Sequence, residues 1–405
     1  MRELASAHLS SCIRVLRRLS TGRRQLALIR GRLDRFPCPA PTGTPELQDR
    51  ELLAESDVPS LLAALATAAG ESLDGLQLRS TAIRSGNGTA TLHLLHHQLY
   101  RPGAEDPLVS LVEKVIEPSP ERSRTYLWAQ EALVYAERER FEAARGVRLP
   151  ECYGLSFTGR RIHLYIEDLG GCTPPRSWRQ LLRSAEALGR FGAWAAGAKL
   201  WKAPWILRSD ESKGIFPVRW RRVEKGLERL GVRPSGAAQF LEGCRLVNRS
   251  PIAQEVARSS PKTLVHLDAH PGNILLPKNG EAPYLLDWAN IARGRLGDDL
   301  LRLTAPREYL LHQGSGLKSF LAMEVALLND YLEGVRAEKA IPTSDEVRAY
   351  FYLRSLLASV RWLERGARLT SFFGALKPGE RERRLARMEE LLLLQKERVM
   401  ETLSI

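Results

Sequence analysis

Between Leu264 and Trp288 the chain carries three side chains whose types and spacing can do chemistry: Asp268, Asn273 five residues later, and Asp287. Asn and Asp offer hard oxygen donors of the kind Mg²⁺ prefers. That ion is usually held by one or two protein groups together with substrate phosphates. Asn273 and Asp287 are therefore the candidate metal ligands. Asp268 remains as a separate carboxylate able to take the proton of an attacking hydroxyl, so the set suits phosphoryl transfer. His266, at the end of an apolar strand, braces the loop by hydrogen bonding. A rival reading takes His266, Asp268 and His270 as a transition-metal cluster, since imidazole suits zinc or iron. It leaves Asn273 and Asp287 unexplained.

The elements that must position these groups are legible on either side. Two apolar runs, 274–276 and 284–286, flank Pro277-Lys278-Asn279-Gly280-Glu281-Ala282-Pro283. Asn-Gly is the strongest short-range hairpin signal. A hairpin here brings Asn273, at the start of one strand, close to Asp287, at the end of the other. Upstream, strands are expected over 76–83 and 89–95, separated by Arg84-Ser85-Gly86-Asn87-Gly88. Gly86 and Gly88 would let the backbone approach phosphates and point N–H groups at them. A third strand over 108–117 places Lys114 on the face of Val112 and Ile116, with Glu113 and Glu117 pointing outward. A lysine on an apolar face is explained by a contact to ATP α/β-phosphates, or by snorkelling from an edge strand.

A helix over 121–144 follows, carrying Glu131 and Glu137, and then a strand pair over 152–157 and 161–166. The second strand runs into Glu167-Asp168-Leu169-Gly170-Gly171. Beyond it the pattern turns helical, over 178–200, 217–230, 237–247, 252–259, 317–332, 344–366 and 379–402.

The spacing His266-x-Asp268-x-x-x-x-Asn273, followed by Asp287-Trp288, has the logic of a kinase catalytic loop. With His270 and Pro271-Gly272 added, the stretch resembles the aminoglycoside phosphotransferase and choline kinase-like superfamily of small-molecule kinases. The resemblance covers about residues 76 to 303. It implies an α+β, protein kinase-like bilobal fold with a β-rich N-lobe and a mainly helical C-lobe. The implied division is a basic helical extension and linker over 1–70, the N-lobe over 71–169 and the C-lobe over 170–405. ATP and Mg²⁺ are the implied cofactors. Lys114 would meet the α/β-phosphates, positioned by Glu131, with Glu137 as the fallback. The backbone of Glu167, Asp168 and Leu169 would bind the adenine edge while their side chains are solvated. Asp299 would buttress the catalytic loop, and Asp298 or Asp299 can cap the following helix. A histidine found in many related kinases is absent where this chain reads Leu188-Gly189-Arg190-Phe191-Gly192-Ala193-Trp194.

The implied reaction moves the ATP γ-phosphate to a hydroxyl of a small molecule, whether a sugar, an amino alcohol or an antibiotic-like acceptor. The alternative is a catalytically inactive pseudokinase serving as a nucleotide-binding or scaffold module. A protein kinase is disfavoured by Asp287-Trp288 in place of Asp-Phe-Gly and by the lack of an Ala-Pro-Glu segment.

Composition narrows the class further. The chain has 405 residues and a formal net charge of +13. Arginine is spread throughout with no nucleic-acid-binding motif, so the excess is a generally basic surface that would assist capture of an anionic nucleotide. Between residues 170 and 262 there are 18 Lys and Arg against 7 Asp and Glu. A pocket for a polycation would collect carboxylates, so this balance favours a neutral or anionic acceptor. The five cysteines, at 12, 38, 152, 172 and 244, have no metal or framework spacing and fit a reducing, cytoplasmic setting. No apolar run reaches the roughly 18 residues of a membrane span. Residues 1–36 hold nine arginines against Glu3 and Asp34, a composition like that of a mitochondrial transit peptide or of a basic extension.

Overall fold

Alternating apolar positions build the main sheet in the computed structural model, which describes residues 46–47, 57–83, 91–117, 129–141, 143–158, 161–203, 206–208, 220–230, 234–303, 317–338, 344–363 and 378–404. Its strands are β1 (Glu46–Leu47), β2 (Gln77–Ile83), β3 (Thr91–Tyr100), β4 (Val109–Ile116), β5 (Cys152–Thr158) and β6 (Arg161–Glu167). They lie in the order β1-β2-β3-β4-β6-β5, all antiparallel except the β1 edge, which pairs parallel to β2. The expected phosphate turn with Gly86 and Gly88 lies outside the described residues, as does the basic segment 1–45.

Helix α1 (Val58–Ala69) covers one face of this sheet. Pro59 sits in its first turn, where a missing N–H breaks no hydrogen bond. Gly70 ends it at φ 69°, its N–H bonded to the Ala66 carbonyl. Leu61, Leu62, Ala64 and Leu65 pack with Leu78, Leu99, Leu111 and Tyr165 of the strands. Gly154 on β5 permits the close approach, since a Cβ there would lie 3.2 Å from that of Ala64. Residues 58–69, read from sequence as part of an N-terminal extension, thus share the core of the sheet.

Coverage by α1 corrects a second expectation. Glu113 does not point outward; it is fully buried on the Leu111 face. Its carboxylate oxygens lie 2.9 Å from His97 Nε2 and 2.7 Å from His163 Nδ1, and Ser80 Oγ is 2.8 Å from His97 Nδ1. A buried carboxylate persists only with such partners. Glu117 does face solvent and pairs with Arg161 at 3.4 Å.

Helix α2 (Gln130–Ala136) is shorter than the pattern suggested, giving way at Glu137 to a 3₁₀ turn over Arg138–Phe141. The earlier part of the expected helix, 118–128, lies outside the described residues. Phe141 packs edge-on against Trp288, with ring centroids 5.7 Å apart. The segment Leu286–Asn290 belongs to the same unit as the sheet, together with Leu149–Cys172.

The second unit comprises Ala144–Arg148, Thr173–Leu285 and the chain from Ile291. Helix α3 (Trp178–Gly197) opens with a capping box: Ser177 Oγ accepts the Gln180 N–H, and the Gln180 side chain accepts the Ser177 N–H. Helices α4 (Trp220–Leu230), α5 (Pro234–Arg249) and α6 (Pro251–Ser259) follow. A small sheet joins β7 (Leu207–Arg208) and β8 (Lys262–Val265) to β11 (Ala292–Arg295), while β9 (Ile274–Leu275) and β10 (Tyr284–Leu285) pair antiparallel. Between these two strands Gly280 takes φ +77° and the Glu281 N–H bonds to Asn279 Oδ1, so Asn-Gly forms the turn of a longer loop. After α7 (Leu300–Leu303) come α8 (Leu317–Ala337), α9 (Ser344–Leu363) and α10 (Pro378–Leu403). Gly189 of α3 faces the Tyr331 carbonyl of α8, and Gly334 of α8 faces the Glu186 carbonyl. A Cβ at either position would overlap backbone, so the two glycines set how closely the helices cross.

The fold is therefore α+β, with a β-rich unit and a mainly helical one. No helix among the described residues is long and apolar enough to cross a membrane.

Candidate active site

In the β-rich unit, β4 pairs Lys114 between Leu94 and Leu164 and sends its side chain to the face opposite Glu113. The ammonium is almost fully buried, 2.5 Å from Glu131 Oε2 and 3.0 Å from Asp287 Oδ1. Glu137, the fallback partner, pairs instead with Arg140 at 3.0 Å. Burial lowers the Lys114 pKa, but the charges of Glu131 and Asp287 outweigh it and leave the pKa above its ordinary value. Glu131 lies above the usual carboxylate range: burial raises it, Lys114 opposes this, and Asp287 adds to the rise. Asp287 stays about one third exposed, and its φ of +59° is a left-handed pose that aspartate tolerates better than most residues.

At the end of β6, Glu167 bonds twice to Glu151: its N–H to the Glu151 carbonyl, and its carboxylate to the Glu151 N–H. Asp168 is not merely solvated. Its Oδ2 accepts from Ser110 Oγ at 2.7 Å and lies 2.9 Å from His96 Nε2, while Oδ1 accepts the Gly170 N–H. Burial raises the Asp168 pKa, yet the bonds from Ser110 and His96 prevail and hold it below its ordinary value. Leu169 accepts the Cys172 N–H through its carbonyl, closing the turn.

In the helical unit, β8 leads into the loop that carries Asp268. His266 is fully buried, and its Nδ1 accepts the Asp268 N–H at 3.3 Å. Leu267 holds φ +60°, uncommon for leucine. Two side chains of the next segment grip that strained residue: Asp299 Oδ1 accepts the Leu267 N–H at 2.9 Å, and Arg302 Nε donates to the Leu267 carbonyl at 2.8 Å. Asp299 thus spends an oxygen on the loop rather than on a cap, and Asp298 spends its own on the Arg295 N–H, Tyr350 and Arg354. Burial raises Asp299 to about 7, although the Leu267 and His266 N–H groups favour its charged form.

The Asp268 carbonyl accepts both the His270 N–H at 2.8 Å and Asn273 Nδ2 at 3.0 Å. That bond orients the Asn273 amide and leaves Oδ1 as its donor for a cation. His270 Nδ1 accepts the Gly272 N–H. With both imidazoles turned to backbone N–H groups, the zinc-like cluster has no support. Among the described residues, no group of three His, Cys, Asp or Glu side chains is arranged to hold a metal.

Sequence reasoning missed Arg302, His96, Ser110 and the Glu113 network. For Arg302 a signal existed: it stands three residues after Asp299, on the same side of one helical turn.

The chain is similar to several solved structures. They include an ADP-bound aminoglycoside phosphotransferase, APH(2'')-Ib, at 13% identity and TM-score 0.42, covering 79% of this chain and 94% of that one. A type I macrolide 2'-phosphotransferase has 12% identity and TM-score 0.42, covering 85% and 97%. An ethanolamine kinase of Plasmodium vivax has 11% identity and TM-score 0.38, covering 84% and 93%. No family model and no curated protein matches the sequence.

Proposed function

We propose that this chain transfers the γ-phosphoryl group of ATP to a hydroxyl of a small molecule. The observation that carries the reading is the burial of Lys114 between Glu131 and Asp287. Taking a lysine and a glutamate out of water is costly, and packing alone would be served better by apolar residues. A preorganised ammonium for nucleotide α/β-phosphates accounts for that cost.

In this reading Lys114, held by Glu131, meets the α/β-phosphates. The backbone of Glu167, Asp168 and Leu169 binds the adenine edge. Asp268 orients the acceptor hydroxyl and takes its proton as the oxygen attacks phosphorus and ADP leaves. His266 positions Asp268 through its N–H. Asn273 Oδ1 and the part-exposed Asp287 carboxylate are hard oxygen donors that fit Mg²⁺. When bound, the ion supplies neutralisation of the phosphate charge.

The test is γ-phosphate transfer from labelled ATP to a panel of hydroxyl compounds. Wild type is expected to form ADP and a phosphorylated product, and Asp268→Asn to bind ATP but form none. Wild type that binds ATP yet transfers to no acceptor, water included, would indicate an inactive nucleotide-binding module.

A further inference from the structure

Arg302 stands beside the reacting carboxylate and has no role in the scheme above. Its Nη2 lies 3.6 Å from Asp268 Oδ1, too long for a hydrogen bond, while Nε is fixed to the Leu267 carbonyl at 2.8 Å. The guanidinium is thereby aimed at the Asp268 side of the loop, its Nη2 within ion-pair distance of that carboxylate. It is 48% exposed where Asp268 is 22% exposed, so a bound molecule can reach both. Arg302 follows Asp299, whose carboxylate accepts the N–H of the same Leu267.

We propose that Arg302 is a specificity residue and that the acceptor is an anionic hydroxyl compound bearing a carboxylate or a phosphate. This rests on the phosphotransferase reading and names its substrate class. A guanidinium fork pairs two N–H groups with a carboxylate or phosphate. A fixed cation next to the catalytic base also repels an ammonium arriving at the same place. Polycationic acceptors are therefore disfavoured at the point of reaction. The excess of 18 basic over 7 acidic residues between positions 170 and 262 acts in the same direction.

The experiment measures kcat and KM for acceptors matched in skeleton and differing in charge: gluconate, glucose and glucosamine, and glycerate, glycerol and ethanolamine. The enzymes are wild type, Arg302→Lys, Arg302→Gln and Arg302→Glu, each checked by thermal melting. Wild type is expected to prefer the anionic member of a series by tenfold or more in kcat/KM. Arg302→Gln should lose that preference mainly through KM, Arg302→Lys should keep part of it, and Arg302→Glu should reverse it towards the amine. Equal losses for all three charges would reduce Arg302 to a loop-positioning residue and overturn the inference alone. Transfer to no member of either series, with no ATP hydrolysis, would overturn the phosphotransferase reading and this inference with it.

Discussion

Replacing Lys114 by Met keeps the length of the side chain and removes its charge. Glu131, 2.5 Å away and buried, then loses the favourable charge of Lys114 while keeping the repulsion of Asp287. Removing one partner of a buried ion pair costs roughly 3–5 kcal/mol. Protonation of Glu131 caps that cost, at about 1.4 kcal/mol for each unit its pKa must rise. The sign follows from linkage. Burial already holds Glu131 above its unfolded value, and losing Lys114 drives it higher. Stability is then greatest below the ordinary carboxylate pKa and is lost as pH rises through the raised folded value. The deficit of Lys114→Met should be small near about pH 5 and largest near about pH 8. Lys114→Met with Glu131→Gln, which removes both charges, should regain most of it, and both variants should lose phosphoryl transfer. Urea unfolding followed by tryptophan fluorescence at several pH values measures this. A single variant as stable as wild type at high pH, or a double variant no better than the single, would refute the coupling.

Asp299, held at about 7 by burial, binds a proton more tightly folded than unfolded. Stability should therefore decline as pH rises from the ordinary carboxylate value through about 7, and Asp299→Asn, which keeps an acceptor for the Leu267 N–H, should flatten that slope in a pH series of unfolding curves. Glu113→Ala should strand His97 and His163 and destabilise by roughly 2–6 kcal/mol, since each unsatisfied buried group costs about 1–3. Nucleotide affinity, measured by calorimetry, should persist in that variant, because Lys114 faces the other side of the sheet. Gly189→Ala and Gly334→Ala should each lower the melting temperature through overlap at the α3–α8 crossing, while Gly171→Ala, with open space, should not.

The site was legible where its information is local. The spacing from His266 to Asn273 and the Asn279-Gly280 turn depend on a few neighbouring residues, and the alternation of β4 is enough to set Lys114 apart from its charged neighbours. The long helices α8 and α9 showed their periodicity directly. What failed was long-range. Alternation defines two faces of β4 but does not say that α1 covers the second, so Glu113 was read as solvent-facing. Its partners His97 and His163 come from β3 and β6, and nothing local to Glu113 announces them. The same holds for Asp168, whose partners His96 and Ser110 lie 72 and 58 residues away. Helix α2 was overextended because the 3₁₀ turn over Arg138–Phe141 continues nearly the same periodicity. The two-residue strand β7 is too short to leave a pattern.

The proposed function rests on a Mg²⁺-dependent ATP site that includes Asp287. It is put to the test by calorimetric titration of ATP, with and without Mg²⁺, into wild type and Asp287→Ala. Wild type should bind ATP, more tightly with Mg²⁺, and the variant should lose the Mg²⁺-dependent part. Absence of ATP binding to wild type, or a Mg²⁺ effect that Asp287→Ala leaves intact, would overturn the proposal.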